Sequence, residues 1–117
     1  MSLRRNETWV PANQTRVELM NYEVHISGEL EPLIPGYLEN RKKDIEAFTK
    51  ALANEDFERI ASMGHKMKGS GGGYGFVDLS RIGRGIEKAG REKDLDAARK
   101  SVDTLKEYLE NVEIIFD

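Results

Sequence analysis

The sequence predicts an all-α protein, an antiparallel up-down four-helix bundle that follows an N-terminal arm. From Glu29 almost to the C-terminus, apolar residues recur at steps of three and four, which is the period of one helix face. Short stretches rich in Gly, Asn and Asp divide this pattern into four segments. Four amphipathic segments with short connections bury their stripes most simply against one another. We therefore expect residues 29–117 to form the bundle and residues 1–28 an arm, with one extended stretch at "YEVHIS".

The first two segments are separated at "ANED". The first segment opens at Pro32 or Pro35, because the N–H that proline lacks has no intrahelical partner in a first turn. Asn54 or Asp56 caps the second segment through a side-chain oxygen. The apolar stripe of the first segment consists of Ile34, Leu38, Ile45, Phe48 and Leu52. The seam of the second segment consists of Phe57, Ile60, Gly64, Met67 and Gly71.

The third and fourth segments lie on either side of "GREKD". The fourth has the most regular pattern, which predicts a helix that continues through Val112 to Phe116. The inward residues of the third segment are Phe76, Leu79, Ile82, Ile86 and Ala89. Those of the fourth segment are Leu95, Ala98, Val102, Leu105, Leu109, Val112 and Phe116.

Composition and charge narrow the class of protein. Hydrophobic residues make up 38% of the chain and charged residues 33%, and no apolar run is long enough to cross a bilayer. The formal net charge is -3, with acidic and basic residues interleaved, so no basic face for nucleic acid is predicted. The chain has no cysteine, and its first residues lack the apolar stretch of a secretory signal. We expect a cytoplasmic protein without nucleic-acid or membrane partners.

The stretch from His65 to Phe76, "HKMKGSGGGYGF", combines a histidine, two lysines and a run of glycines. A nucleotide-binding P-loop needs a strand, then the glycines, then the lysine, whereas here Lys66 and Lys68 precede the glycines and follow a helical pattern. A flexible linker also fits poorly, because the apolar seam keeps its register as far as Gly71. We therefore expect part of the glycine run to be helical.

If this stretch is helical, small residues surround His65. Residues three and four positions away are neighbours on a helix surface, and most of those around His65 are small. The neighbours are Ala61, Ser62, Lys68 and Gly69, and Gly72 extends the patch. A helical glycine is about 0.5–1 kcal/mol less favourable than alanine, so something other than helix stability must favour glycine here. An open patch would let a large partner reach the imidazole.

The stretch that begins at His65, followed by "DLSRIGRGIEKAGREKD", resembles the histidine-containing phosphotransfer (HPt) domains of multistep two-component phosphorelays. In that family's motif, lysine follows the histidine three positions later, and glycine and a small residue come next. His65, Lys68, Gly69 and Ser70 match the motif in order. The resemblance covers about Leu30 to Phe116.

The resemblance implies a phosphoryl carrier. His65 would accept a phosphoryl group from an aspartate of one receiver domain and pass it to an aspartate of another, since neutral imidazole is a nucleophile near neutral pH. Lys68 would offset the charge of the transferring group. The partners would be receiver domains of response regulators or hybrid sensor kinases, which would also carry the Mg²⁺. We expect the chain itself to be a monomer without a metal, a cofactor or its own ATP-dependent kinase activity.

The residues expected to contact the partner lie around His65 on the same helix. They are Ala61, Ser62, Lys66, Gly69, Ser70 and Gly72. Lys66 has a second interpretation as a solvated surface charge. Tyr74 and Phe76 are expected to pack at the helix turn rather than to bind a ligand.

Two other functions stay open at this point. A four-helix adaptor would bind a receiver domain or a partner helix without accepting phosphate, although it would not need a histidine with its lysine. A small bundle enzyme is less favoured, because the sequence shows no second catalytic group near His65. His25 is expected to be structural or solvated, and two histidines on different segments without cysteine make a poor metal site.

Overall fold

The computed structural model describes residues 22–117, so the expected arm is described only from Tyr22 onward. Four helices and two short strands make up this part of the chain, with a 3₁₀ helix, Gly28–Leu33, before the first helix. In chain order the elements are β1 (Glu23–Ile26), α1 (Ile34–Ala53), α2 (Phe57–Tyr74), α3 (Val77–Arg91), α4 (Leu95–Asn111) and β2 (Glu113–Phe116). The predicted four-helix bundle is confirmed, since α1 and α3 both pack against α2 and against α4. The predicted domain boundary at residue 29 and the antiparallel direction of neighbouring helices stay predictions.

Local capping explains where α2 begins and ends. The Asp56 side chain accepts a hydrogen bond from the backbone N–H of Arg59 at 3.2 Å, which satisfies one of the free amides of the first turn. At the other end Gly75 has φ 96°, a left-handed conformation that glycine adopts without strain. The amide of Phe76 then donates back to the carbonyl of Gly71 at 2.7 Å. The glycine run up to Gly73 is therefore helical, and the helix ends one residue later.

The predicted apolar stripes supply most of the core. The stripe residues that are buried are Ile34, Phe48, Ile60, Gly64, Met67, Gly71, Phe76, Leu79, Ile82, Ile86, Ala89, Ala98, Val102 and Leu105. Two tyrosines, Tyr37 and Tyr108, are also buried and were not among the predicted core residues. Tyr37 stacks on Phe76 with ring centroids 5.6 Å apart, so the first helix covers the turn that follows α2.

The contact between α2 and α3 is the most extensive in the bundle, and it depends on glycine. A Cβ atom added to Gly64 would lie 2.6 Å from the backbone nitrogen of Glu87, and one added to Gly83 would lie 2.6 Å from that of Lys68. A Cβ on Gly90 would lie 2.6 Å from the backbone nitrogen of Ala61. The two backbones therefore approach each other more closely than any larger residue would allow, which brings side chains at the edge of α3 beside those of α2.

The predicted extent of the fourth helix is wrong at its C-terminal end. The helix ends at Asn111, and Glu113–Phe116 forms β2, which pairs in parallel with β1 so that Glu23 lies opposite Glu113 and Ile26 opposite Phe116. Val112 and Phe116 are spaced as a helix would place them, but the β-branched residues between them suit a strand once a partner is present. The stretch expected to be extended before the bundle contains β1, whose Ile26 is buried in the core.

Candidate functional site

His65 lies on the exposed side of α2, and its side chain contacts one carboxylate from α3. The imidazole is 62% exposed, and its Nδ1 lies 3.1 Å from Oε2 of Glu87. Lys68 Nζ lies 3.2 Å from the other carboxylate oxygen, Oε1, and Arg91 also pairs with Oε2. The Glu87 side chain is only 8% exposed. One buried carboxylate thus joins a histidine and two cations that come from two helices.

The surroundings of Glu87 keep it ionised. Burial by itself raises the pKa of this carboxyl, but hydrogen bonds with Lys68 and His65 and the charges of Arg91 and Lys68 lower it. The net result is a pKa below the ordinary value for glutamate. Glu87 is the one charged residue that is buried among residues 22–117, and the neighbouring cations and hydrogen bonds compensate for its burial.

The ionised carboxylate determines the protonation of a neutral His65. A carboxylate can only accept hydrogen bonds, so Nδ1 of the imidazole must carry the proton in this contact. In the neutral ring the lone pair is then on Nε2. No residue in the described part of the chain is hydrogen-bonded to Nε2. The contact with Glu87 therefore orients the ring and leaves its nucleophilic nitrogen available.

The predicted residues on the open side of α2 surround His65 with little bulk. A Cβ on Gly69 would meet nothing within 4 Å, and one on Gly72 would meet only the Ser80 hydroxyl, at 3.7 Å. Ser62 and Lys66 are both exposed. The structure therefore places these four predicted contact residues on the solvent side of the helix together with His65, while their role in binding stays a prediction.

Two other predicted contact residues lie toward neighbouring helices. Ala61 is half-buried at the close contact with Gly90 of α3. The Ser70 hydroxyl lies 2.8 Å from the Tyr37 hydroxyl and 3.5 Å from Nη1 of Arg41, so it connects α2 to α1. Both residues border the exposed surface rather than form its centre.

Glu87, whose carboxylate lies 3.1 Å from the imidazole, is the neighbour of His65 that the sequence analysis missed. The position of Glu87 among the glycines of α3 is a weak indication of this contact in the sequence. Glu87 lies four residues after Gly83 and three before Gly90, so it falls on the glycine face of α3. The seven-residue step from Gly83 to Gly90 repeats the step from Gly64 to Gly71. A carboxylate on a small-residue face indicates a charge held close to the facing helix.

The described residues offer neither a cluster of metal ligands nor a membrane-spanning helix. Among residues 22–117, no three His, Asp or Glu side chains are grouped so that they could hold a metal ion. None of the described helices is both long enough and apolar enough to cross a membrane. His25 lies on β1, where its Nδ1 is 3.3 Å from Oδ1 of Asp117, far along the chain from the His65 site.

Comparison with known proteins identifies the family. A family model described as Hpt domain matches residues 34–114, which include α1 to α4. No curated protein and no solved structure matches the chain. The matched range contains His65, Lys68 and Glu87, so the candidate site lies within the part of the chain that matches the family. The chain belongs to the Hpt-domain family, the histidine phosphotransfer modules of phosphorelays.

Proposed function

We propose that this protein carries a phosphoryl group between receiver-domain aspartates, with Nε2 of His65 as the phosphoacceptor. The observation that supports this proposal most strongly is the contact between His65 Nδ1 and the ionised Glu87, 3.1 Å apart, on an imidazole that is 62% exposed. An oriented ring with a free nucleophilic nitrogen is what phosphoryl acceptance requires. We further propose that the protein works as a monomer in the cytoplasm.

The proposed transfer to His65 is a nucleophilic displacement at phosphorus. The Nε2 lone pair attacks the phosphorus of an aspartyl phosphate, a P–N bond forms, and the P–O bond to the aspartate breaks with its electrons leaving on the carboxylate. Nδ1 keeps its proton, so the ring becomes cationic as the bond forms. The Glu87 carboxylate stabilises this positive charge. Transfer to a second receiver is the same step in reverse.

Lys68 and the receiver's metal would share the charge of the transferring group. The Lys68 ammonium lies beside Glu87 on the same face as His65, and its flexible stem lets it turn toward the equatorial phosphoryl oxygens. Arg91 pairs with Glu87 as well, so the carboxylate keeps one cationic partner when Lys68 moves. We propose that Mg²⁺ is bound by the receiver and that this chain binds no metal and has no ATP-dependent kinase activity of its own.

The openness of α2 around His65 supports a protein donor rather than a small one. Gly69 and Gly72 leave the surface beside the imidazole free of side chains. A receiver must bring its aspartate within bonding distance of Nε2, which a bulky neighbour of His65 would prevent. The exposed small residues therefore suit a large, convex partner surface.

The test is phosphorylation by receiver domains. The protein is incubated with a panel of phosphorylated receivers, and acid-labile phosphate on the chain is measured. His65→Gln should abolish acceptance, whereas the matched variant His25→Gln should accept phosphate as the parent does. Phosphate retained on His65→Gln would refute the proposal. A receiver that binds the parent without ever transferring phosphate would replace it with the adaptor function.

A further inference from the structure

A second surface feature adjoins the His65 site on the side of α3. It is an open cleft of about 360 Å³, lined by Lys68, Arg84, Glu87, Lys88, Arg91 and Glu92, which we name the cationic cleft. Four of these side chains are cations and two are carboxylates. The excess is positive although the chain as a whole has a net charge of -3. Positive charge is therefore concentrated beside the phosphoacceptor.

Internal pairing explains only half of these cations. Lys68 and Arg91 both pair with Glu87. Arg84 and Lys88 are exposed and form no ion pair with any residue in the described range 22–117. They are four residues apart on α3, and like charges at that spacing are unfavourable for a helix. Lys88 lies in the last turn of α3, where a cation is favourable, but that position does not account for Arg84 beside it. The two unpaired cations together point to a partner.

The opposite side of α2 provides a comparison. A cleft of about 320 Å³ between α1 and α2 is lined by Arg41, Asp44, Arg59 and Lys66, among others. There the Arg41 guanidinium is bound by Asp44 at 2.8 Å. It also lies over the Tyr37 ring, 4.6 Å from the centroid. Arg59 and Lys66 form no ion pair within residues 22–117, so each of the two clefts keeps two unpaired cations. The two clefts differ instead in their contact with the imidazole, which no residue on the α1 side binds.

The position of the imidazole favours the α3 side. His65 is held through Nδ1 by a residue of α3, so the ring and the cationic cleft share the Glu87 carboxylate. Arg84 and Arg91 are seven residues apart, which corresponds to about 10 Å along a helix. The cations of the cleft therefore cover a length that suits an extended charged surface on a partner. No aromatic side chain lines the cleft for a base to stack on, so a nucleotide fits less well than a protein face.

We propose that the cationic cleft docks an acidic face of the receiver that exchanges phosphate with His65, so that the partner approaches over α3 rather than over α1. This inference rests on the proposed function and adds the chemistry and direction of the partner. Complementary charge at an interface raises the rate at which two proteins associate and fixes their relative orientation. Neither Arg84 nor Lys88 contacts the reacting atoms, so both act through docking alone.

The experiment compares two variants of equal net charge. Arg84→Glu/Lys88→Glu reverses the cleft, and Arg99→Glu/Lys100→Glu reverses two exposed cations on α4, which packs mainly against α1 and α3. Transfer rates are measured with every receiver domain encoded by the source genome, each phosphorylated, at about 50 mM and about 500 mM salt. Labelling by phosphoramidate is measured in parallel, because a small donor needs no docking surface.

The cleft variant should lose about tenfold or more of the transfer rate at low salt. The difference from the parent should shrink at high salt, since screening removes the parent's advantage. The α4 variant should stay within about twofold of the parent, and all three proteins should be labelled equally by phosphoramidate.

Each contrary result identifies what fails. A parent that takes phosphate from no receiver refutes the proposed function, and the docking inference falls with it. If the parent transfers and the cleft variant matches it, only the docking inference is overturned. Equal losses in the two variants would show a general charge effect rather than docking. Loss of phosphoramidate labelling in the cleft variant would assign the cleft to small phosphates, which also overturns it.

Discussion

Two pairs of glycines on α2 differ in what surrounds them. Gly64 and Gly71 face α3, where an added Cβ would lie 2.6 Å and 2.9 Å from backbone nitrogens. Gly69 and Gly72 face solvent, where an added Cβ would meet nothing closer than 3.7 Å. The first pair allows two helices to touch, and the second keeps the surface beside His65 free. Glycine therefore allows close helix packing on one face of α2 and leaves the imidazole exposed on the other.

This difference implies that stability and phosphoryl transfer can be changed separately. On the packed face, a larger residue forces the backbones apart. On the open face, a larger residue replaces a poor helix former and does not disturb the core. Substitutions on the packed face should therefore act mainly on stability, and those on the open face mainly on transfer.

Gly64→Leu should destabilise the fold by about 3 kcal/mol, because its side chain would have to displace the backbone of α3. The loss is measured by chemical denaturation. Gly69→Leu is the matched control, since it adds the same side chain five residues later on the open face. Equal stability of the two variants would abolish the distinction between the faces.

Gly69→Leu or Gly72→Leu should remove most transfer from a receiver while the melting temperature stays at or above that of the parent. An added Cβ meets nothing within 4 Å at Gly69 and only the Ser80 hydroxyl, at 3.7 Å, at Gly72, so the larger residue adds bulk beside the imidazole on the open face. Phosphoramidate should still label His65 in both variants. Gly69→Ala is the graded control and should retain most transfer. Normal transfer by the leucine variants would mean that the open patch is not a docking surface.

Glu87→Gln should slow transfer by about tenfold or more, because a neutral amide no longer imposes the Nδ1–H tautomer or stabilises the cationic ring. Transfer is followed with a receiver and with phosphoramidate, and both rates should fall, unlike those of Gly69→Leu. A variant that transfers at the parent's rate would reduce Glu87 to a packing residue.

The same variant should change how stability depends on pH. The pKa of Glu87 is lower in the folded chain than its ordinary value, so its contribution to stability is present above the ordinary carboxyl range and lost as pH falls through the folded-state pKa. Melting temperatures are compared between about pH 7 and about pH 3. The parent should lose more stability on acidification than Glu87→Gln. Parallel curves would contradict the assigned direction of the shift.

Lys68→Ala should slow transfer by several-fold without abolishing it, since a neighbouring cation assists the transferring group but forms no bond with it. Arg91 still pairs with Glu87 in this variant, so the fold should be retained. Lys100→Ala, which removes an exposed lysine of α4 instead, is the control. An unchanged rate would assign Lys68 to the surface.

Much of this arrangement could be predicted from periodicity, and the exceptions have physical causes. The steps of three and four located the four helices and placed Gly64 and Gly71 on the packed face, because one helix's own geometry decides which residues share a face. Glu87 was missed because its contact with His65 spans 22 residues and depends on how closely two helices approach. That distance is set by glycines on both helices at once.

The C-terminal strand was missed for a related reason. Val112 and Phe116 continue the helical step, so periodicity alone extends α4 to the end of the chain. A four-residue strand is stable only when another strand supplies hydrogen bonds. Its partner, β1, lies about 90 residues earlier, beyond the reach of any local pattern.

The parallel pairing of β1 with β2 also determines how the molecule would respond to mechanical force. The amide of Glu113 donates to the Tyr22 carbonyl at 2.8 Å, and the amide of Asp117 donates to the Ile26 carbonyl at 3.0 Å. Because the strands run in the same direction, tension applied at Tyr22 and Asp117 pulls them past each other lengthwise. All the ladder hydrogen bonds are then loaded together rather than one after another. The helices, enclosed in the loop between the strands, bear no tension until this clamp breaks.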